Sequence, residues 1–167
     1  IQRKLLNAIE TPPREVYGSP LGRTVETARL AVTFVYHPIV DDRLQELNFG
    51  KWEGATKQQI SKQTDCSFKD GSWHFNSPGG ETFAMISARA LELLNALDEP
   101  AVLVTHGMTS RVLRGLCLGL CQADMLKLPI GQGCIYHLVN RTEGFCDRLQ
   151  TEIRLRSMGL APDKAVS

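Results

Sequence analysis

Charge of one sign is what this sequence most lacks: 19 Lys and Arg against 18 Asp and Glu leave a formal net charge of +1 over 167 residues. Nothing in that balance steers the chain toward nucleic acid or an acidic membrane surface. Long apolar runs are missing as well. No segment approaches the length of a membrane helix, and no signal-peptide pattern stands at the visible start. The five cysteines, Cys66, Cys117, Cys121, Cys134 and Cys146, are odd in number and contain no Cys-x-x-Cys spacing. Reduced thiols in a cytoplasmic protein are the simplest reading. Cys117 and Cys121 share a helix face, but no second pair completes a metal site. The four histidines, His37, His74, His106 and His137, form no His-x-x-x-His pattern, so a metal-dependent hydrolase is a weak rival among the possible functions. Repeats and low-complexity stretches are absent too.

What is present alternates between strand and helix patterns. Val16-Tyr17-Gly18 ends a short strand. Ser19 and Pro20 suit the cap and first residue of a helix in which Leu21, Val25, Ala28 and Val32 keep helical spacing. Residues 38–41 read as a short strand and 55–62 as a polar helix. Residues 64–80 form a loop or lid bearing Trp73, His74 and Phe75, which either line a pocket entrance or make a satellite apolar cluster. The strongest helix covers 81–97, with Phe83, Ile86, Ala90, Leu91, Leu94 and Leu97 on one stripe and Pro100 after it. Residues 101–104 are an apolar strand, expected to be buried. The helix after it carries Val112, Leu113, Leu116 and Leu120 on one face, with Arg111 and Arg114 off that face. A strand at 134–139, a turn at 141–144 and an antiparallel strand at 145–149 follow. The pattern predicts an α/β three-layer sandwich, a mostly parallel central sheet flanked by helices with an antiparallel edge strand. It spans residues 1–150, with a polar tail at 151–167 expected to fray.

Candidate chemistry gathers at three places. His106-Gly107 lies at the carboxyl end of the 101–104 strand, on the turn into a helix. Open α/β sheets bind ligands there, and a helix N-terminus offers N–H groups to an anion. Gly107 lets the backbone approach a bound group closely. A histidine in such a turn is also an ordinary structural residue, so its partners decide. Arg23 falls in the first turn of its helix, where a cation opposes the dipole. That conflict has a use if the guanidinium grips a phosphate, and otherwise Arg23 is a surface ion-pair partner. The third place is the segment 42–54, where Leu44, Leu47, Phe49 and Trp52 are apolar anchors around Glu46 and Glu53. A carboxyl pressed among apolar groups is held protonated, as a general acid must be. Chemistry alone leaves Glu46 and Glu53 both open, and solvated loop glutamates are the plain alternative.

Four motifs taken together resemble the histidine phosphatase superfamily, the phosphoglycerate-mutase-like phosphatases and mutases. They are Ser-Pro-Leu-x-Arg-Thr-x-x-Thr-Ala from Ser19, Leu-x-Glu-x-x-Phe-Gly-x-Trp-Glu-Gly from Leu44, Gly-Gly-Glu-Thr from Gly79 and Thr-His-Gly from Thr105. The resemblance runs from about Ile1 to about Asn140. It implies a phosphohistidine mechanism without cofactor or metal, acting on a small phosphorylated metabolite. Carried over by motif, Arg23 is a phosphate ligand, Glu46 the proton donor to the leaving oxygen, and His106, beside Gly107, the second pocket histidine. Phosphatase is preferred to mutase because the stretch from Glu46 to His106 is compact. Mutases of this kind carry a longer insert there.

One motif of the family is missing. No Arg-His-Gly, the site of its nucleophile, occurs in the sequence. Ile1, Leu5, Ala8 and Ile9 keep helical spacing from the first residue with no cap ahead of them. The expectation is that the first strand and the nucleophilic histidine lie upstream of Ile1, and that the printed chain alone is inactive. A catalytically inactive phosphate-binding module is the alternative if no such segment exists. A homodimer is left open.

Overall fold

The structure is a computed structural model that describes residues 15–31, 37–64, 67–146 and 154–156. The helix expected from Ile1, together with Val32 and residues 147–149, lies outside the described residues. Three parallel strands form the sheet that carries the site. β1 (Glu15–Gly18) lies in the middle, with β2 (Ile39–Val40) on one side and β3 (Ala101–Val104) on the other. Tyr17 stands opposite Ile39 in one neighbour and Leu103 in the other.

The helices are α1 (Gly22–Ala31), α2 (Lys57–Ser61), α3 (Phe83–Asn95), α4 (Gly107–Leu118) and the short α5 (Gln122–Met125). α1 lays Ala28 on Val16, both fully buried, beside Val102 and Val104 of β3. Thr82 caps α3 by accepting from the Met85 N–H, and Thr56 with Gln59 makes a capping box on α2, each satisfying N–H groups that a helix start leaves open. The main core joins α3, α4 and the loop after β2. Leu44, Leu47, Ile86, Leu93 and Val112 are at most 2% exposed in it. Each such side chain contributes about 1.5–3 kcal/mol by leaving water. A second cluster packs Trp52, Ile60 and Trp73.

Four readings are refined here. β3 is only part-buried along its length and pairs, among the described residues, with β1 alone. The antiparallel strands β4 (Ile135–Val139), β5 (Thr142–Cys146) and β6 (Arg154–Arg156) form a sheet of their own, order β4-β5-β6, in place of one edge strand. Three residues of the expected tail are therefore strand. The β4–β5 turn is the pair Asn140-Arg141, both with positive φ, so Gly144 sits inside β5 opposite His137. Two left-handed residues in succession match the twist of a tight hairpin better than a four-residue loop does. Finally, Arg114 is 2% exposed, not displaced from the packed face of α4. Its guanidinium makes a two-pronged pair with Glu143 of β5 at 2.5 and 2.8 Å, which lets the charge be buried.

Candidate active site

β1 and β3 run parallel side by side, so the residues that follow them meet at one sheet edge. The Ser19 N–H donates to the Val104 carbonyl at 3.0 Å, extending the ladder one residue past the end of β1. His106 then turns into α4. Its Nε2 lies 2.8 Å from the Oγ of Ser19, and its Nδ1 lies 2.9 Å from Nη2 of Arg23. A guanidinium can only donate. Nδ1 is therefore the acceptor, and Nε2 carries the ring proton and donates it to Ser19. Burial is the main reason that the ring lies below the ordinary histidine value; Glu46 opposes this, and Arg23 and Arg89 add to it. His106 is 8% exposed, and Ser19 is fully buried.

Glu46 reaches the same junction from the loop after β2. Its Oε1 accepts from the N–H groups of Leu47, Met108 and Thr109 at 3.0, 3.2 and 3.2 Å. Its Oε2 has one such contact, with the Met108 N–H at 3.3 Å. The carboxylate thus sits on the N-terminus of α4, the natural place for a negative charge. This corrects two expectations. Glu46 is flanked by buried leucines, yet both oxygens of its carboxyl accept from backbone N–H groups. The Met108 and Thr109 N–H groups, expected to hold a substrate anion, are engaged by the protein's own carboxylate.

The loop is braced from several sides. Thr105 and Thr109 donate their hydroxyls to the carbonyls of Leu44 and Gln45 at 2.7 and 2.5 Å. Arg89 of α3 donates to the Arg43 carbonyl and forms a two-pronged pair with Glu81. Arg43 itself is paired with Asp41 at 2.7 Å. Burial works to raise Glu81, but the Arg89 guanidinium and the Asn48 N–H outweigh it and hold the carboxyl below its usual value. Glu53 accepts from the Phe49 N–H and is exposed. Gly50, with φ +47°, fits against the turn at Pro78–Gly80, where an added Cβ would stand 2.6 Å from the Pro78 carbonyl oxygen.

Arg23, Glu46 and His106 therefore meet at one strand-to-helix junction, and Gly107 is part of it. A Cβ on Gly107 would lie 3.8 Å from Oε2 of Glu46 and 3.3 Å from Cγ2 of Ile130. Trp73 and Phe75 are buried in apolar clusters. His74 between them is part-buried and stacked on Trp73 at 3.9 Å, and its Nδ1 is bonded to the Gly71 carbonyl. Burial holds its ring below the ordinary value as well. Sequence reasoning missed Ser19, Thr109 and Arg89. Ser19 stood in the Arg23 motif but was read as a helix cap; α1 begins only at Gly22, and its hydroxyl serves the His106 ring and, at 3.4 Å, the Leu21 N–H. Among the described residues no three His, Cys, Asp or Glu side chains converge as a metal site, and no described helix is long and apolar enough to cross a membrane.

Residues 3–150 match the sequence profile of the histidine phosphatase superfamily (branch 1). An acid phosphatase of Mycobacterium tuberculosis is 28% identical over 148 residues, covering 86% of this chain and 66% of that protein. A glucosyl-3-phosphoglycerate phosphatase of the same species is 31% identical over 136 residues, covering 71% of this chain and 56% of that protein. The chain spans less than two thirds of the length of these curated relatives. Among solved structures, that of the product of the Mycobacterium tuberculosis open reading frame Rv3214 superposes with a TM-score of 0.58 at 27% identity, covering 87% of this chain and 72% of that one.

Proposed function

Because the chain belongs to the histidine phosphatase superfamily (branch 1), we propose that this protein is a metal-independent phosphomonoester hydrolase that acts through a phosphohistidine. The observation that carries this reading is the meeting of Arg23, His106 and Glu46 at one junction. The nucleophile is an Arg-His-Gly histidine upstream of Ile1. Its ring nitrogen attacks phosphorus, and the bond from phosphorus to the ester oxygen breaks. Arg23 and His106 hold equatorial phosphoryl oxygens, His106 turning its ring proton from the Ser19 hydroxyl onto the bound phosphoryl group, with the Gly107 backbone close by. Fixed positive groups around a transferring phosphoryl are the largest electrostatic aid to such a step. Glu46 acts as general acid from Oε2, the oxygen with the fewer backbone contacts, taking up a proton once the phosphate dianion lies beside it and passing it to the leaving oxygen. Water then cleaves the phosphorus–nitrogen bond and gives its proton to Glu46, which restores the acid.

The substrate is a small phosphorylated metabolite, the class named for the glucosyl-3-phosphoglycerate phosphatase relative. Hydrolysis is favoured over mutase chemistry because the stretch from Glu46 to His106 is compact: its described residues form α2, α3, β3 and two single-turn 3-10 helices with their connecting loops. The test is Glu46→Gln in the full-length protein. A general acid is worth roughly 10²–10⁴ in rate. The substitution is expected to cut hydrolysis of alkyl phosphates by that order and to spare aryl phosphates, whose leaving oxygen hardly needs a proton. Equal losses on both would reduce Glu46 to a brace for its loop.

A further inference from the structure

Residues 128–131, between α5 and β4, are gripped by side chains from three directions. Arg111 donates its Nε–H to the Leu128 carbonyl at 2.7 Å, and Arg114 donates from Nη1 to the Pro129 carbonyl at 2.7 Å. The Tyr136 hydroxyl donates to the same Pro129 oxygen at 3.2 Å and accepts from the Gly131 N–H at 3.2 Å. Arg114 is itself fixed, paired with Glu143 and lying 3.6 Å over the Tyr136 ring. The grip has a consequence one residue further on. Ile130 is pressed onto Gly107, with Cγ2 and Cδ1 at 3.3 and 3.4 Å from the position a Cβ would take there. Oε2 of Glu46 lies 3.8 Å from that same position. Yet Ile130 remains 49% exposed. An apolar side chain held by four hydrogen bonds to its own backbone neighbours, and left open over the glycine that Glu46 Oε2 also approaches, is more than loose surface.

We propose that Ile130 is a specificity-determining residue, an apolar wall on the leaving-group side of the site that selects alcohols whose carbon chain beyond the ester oxygen carries no hydroxyl groups. The inference rests on the phosphatase reading with Glu46 as proton donor. If Oε2 protonates the leaving oxygen, the first carbons of the leaving alcohol pass within reach of Ile130. Covering that side chain with methylene groups removes apolar surface from water on both partners. Covering it with hydroxyl groups strips their water and returns no hydrogen bond. Monoesters of simple alkanols are thus favoured over those of polyols carrying the same carbon skeleton.

The experiment compares propyl phosphate with glycerol 1-phosphate in the full-length protein, following release of inorganic phosphate, with p-nitrophenyl phosphate as a control. The wild type is expected to prefer propyl phosphate in kcat/KM. Ile130→Ala is expected to lower kcat/KM for propyl phosphate about tenfold, chiefly through KM, since small apolar deletions in a binding pocket have effects of at least that order. Glycerol 1-phosphate is expected to stay within about twofold. Ile130→Val is expected to keep most of the preference. Equal losses on both esters, no change on either, or no preference in a wild type that cleaves the aryl control would overturn the Ile130 assignment alone. A wild type silent on all three esters overturns the phosphatase reading, and this assignment with it.

Discussion

Glu143→Gln isolates the buried ion pair that fixes Arg114, and its cost follows from geometry. Arg114 and Glu143 are 2% and 3% exposed. All three guanidinium nitrogens are in use, Nε and Nη2 on Glu143 and Nη1 on the Pro129 carbonyl. The substitution keeps the side-chain volume but removes the balancing charge. Breaking a buried pair on one side costs about 3–5 kcal/mol. One amide oxygen can still accept from Arg114, so the lower end, roughly 3 kcal/mol, is expected. At about 2–4 °C per kcal/mol for a domain of this size, Tm falls by about 6–12 °C. The double variant Arg114→Met with Glu143→Leu removes both charges. It is expected to recover most of the loss and to retain a deficit near 1 kcal/mol from the lost Arg114 bond to the Pro129 carbonyl, which keeps only the Tyr136 hydroxyl. Urea unfolding followed by tryptophan fluorescence suits the measurement, since Trp52 and Trp73 are both buried. A loss below about 1 kcal/mol for Glu143→Gln, or a double variant worse than the single, would refute the reasoning.

Gly50→Ala is expected to destabilise by roughly 3 kcal/mol or more, because it combines a positive φ with a Cβ driven onto the Pro78 carbonyl; calorimetry against Gly54→Ala, which has positive φ but open space, separates the clash from backbone strain. His74 and His106 are both held below the ordinary histidine value of 6.5. The unfolded chain therefore binds protons that the folded chain refuses, and their contribution to stability is full above pH 6.5 and lost as pH falls through their folded values. Thermal melts between about pH 5 and 7 are expected to show Tm rising with pH, with a shallower slope in His106→Gln. A Tm flat across that window in the wild type contradicts the environment assigned to both rings. Thr109→Val removes the hydroxyl that holds the Gln45 carbonyl at 2.5 Å, and a loss of about 1–2 kcal/mol in unfolding free energy is expected; no measurable loss would show that Thr109 does not brace the Glu46 loop.

Much of the fold was legible because its signals are local. The apolar stripe from Phe83 to Leu97 with Pro100 after it, Ala-Val-Leu-Val before His106-Gly107, and the strand-like run at 134–139 each declare an element within a short stretch of chain. The site was legible in its members but not in its wiring. Arg23, Glu46 and His106 stood out by motif, while the bond from Glu46 to the α4 N-terminus joins residues 62 and 63 positions apart. Helix periodicity placed Arg114 off the packed face, since a charged residue scores as exposed unless its partner is known. That partner, Glu143, lies 29 residues on, in a strand whose start was misplaced because Gly144 suggested a turn. Ser19 was assigned to the nearest helix end by its residue type, whereas its hydroxyl is set by the position of β3 beside β1.

Trapping the covalent intermediate tests the central claim most directly. The full-length protein is incubated with an aryl phosphate in the presence of chelator, quenched at alkaline pH, digested and searched by mass spectrometry for acid-labile phosphohistidine. The expected result is a phosphoryl group on the histidine of an Arg-His-Gly peptide upstream of Ile1, with its formation weakened by Arg23→Ala and His106→Ala. Phosphate found on His106, or turnover with no phosphohistidine at all, would contradict the account.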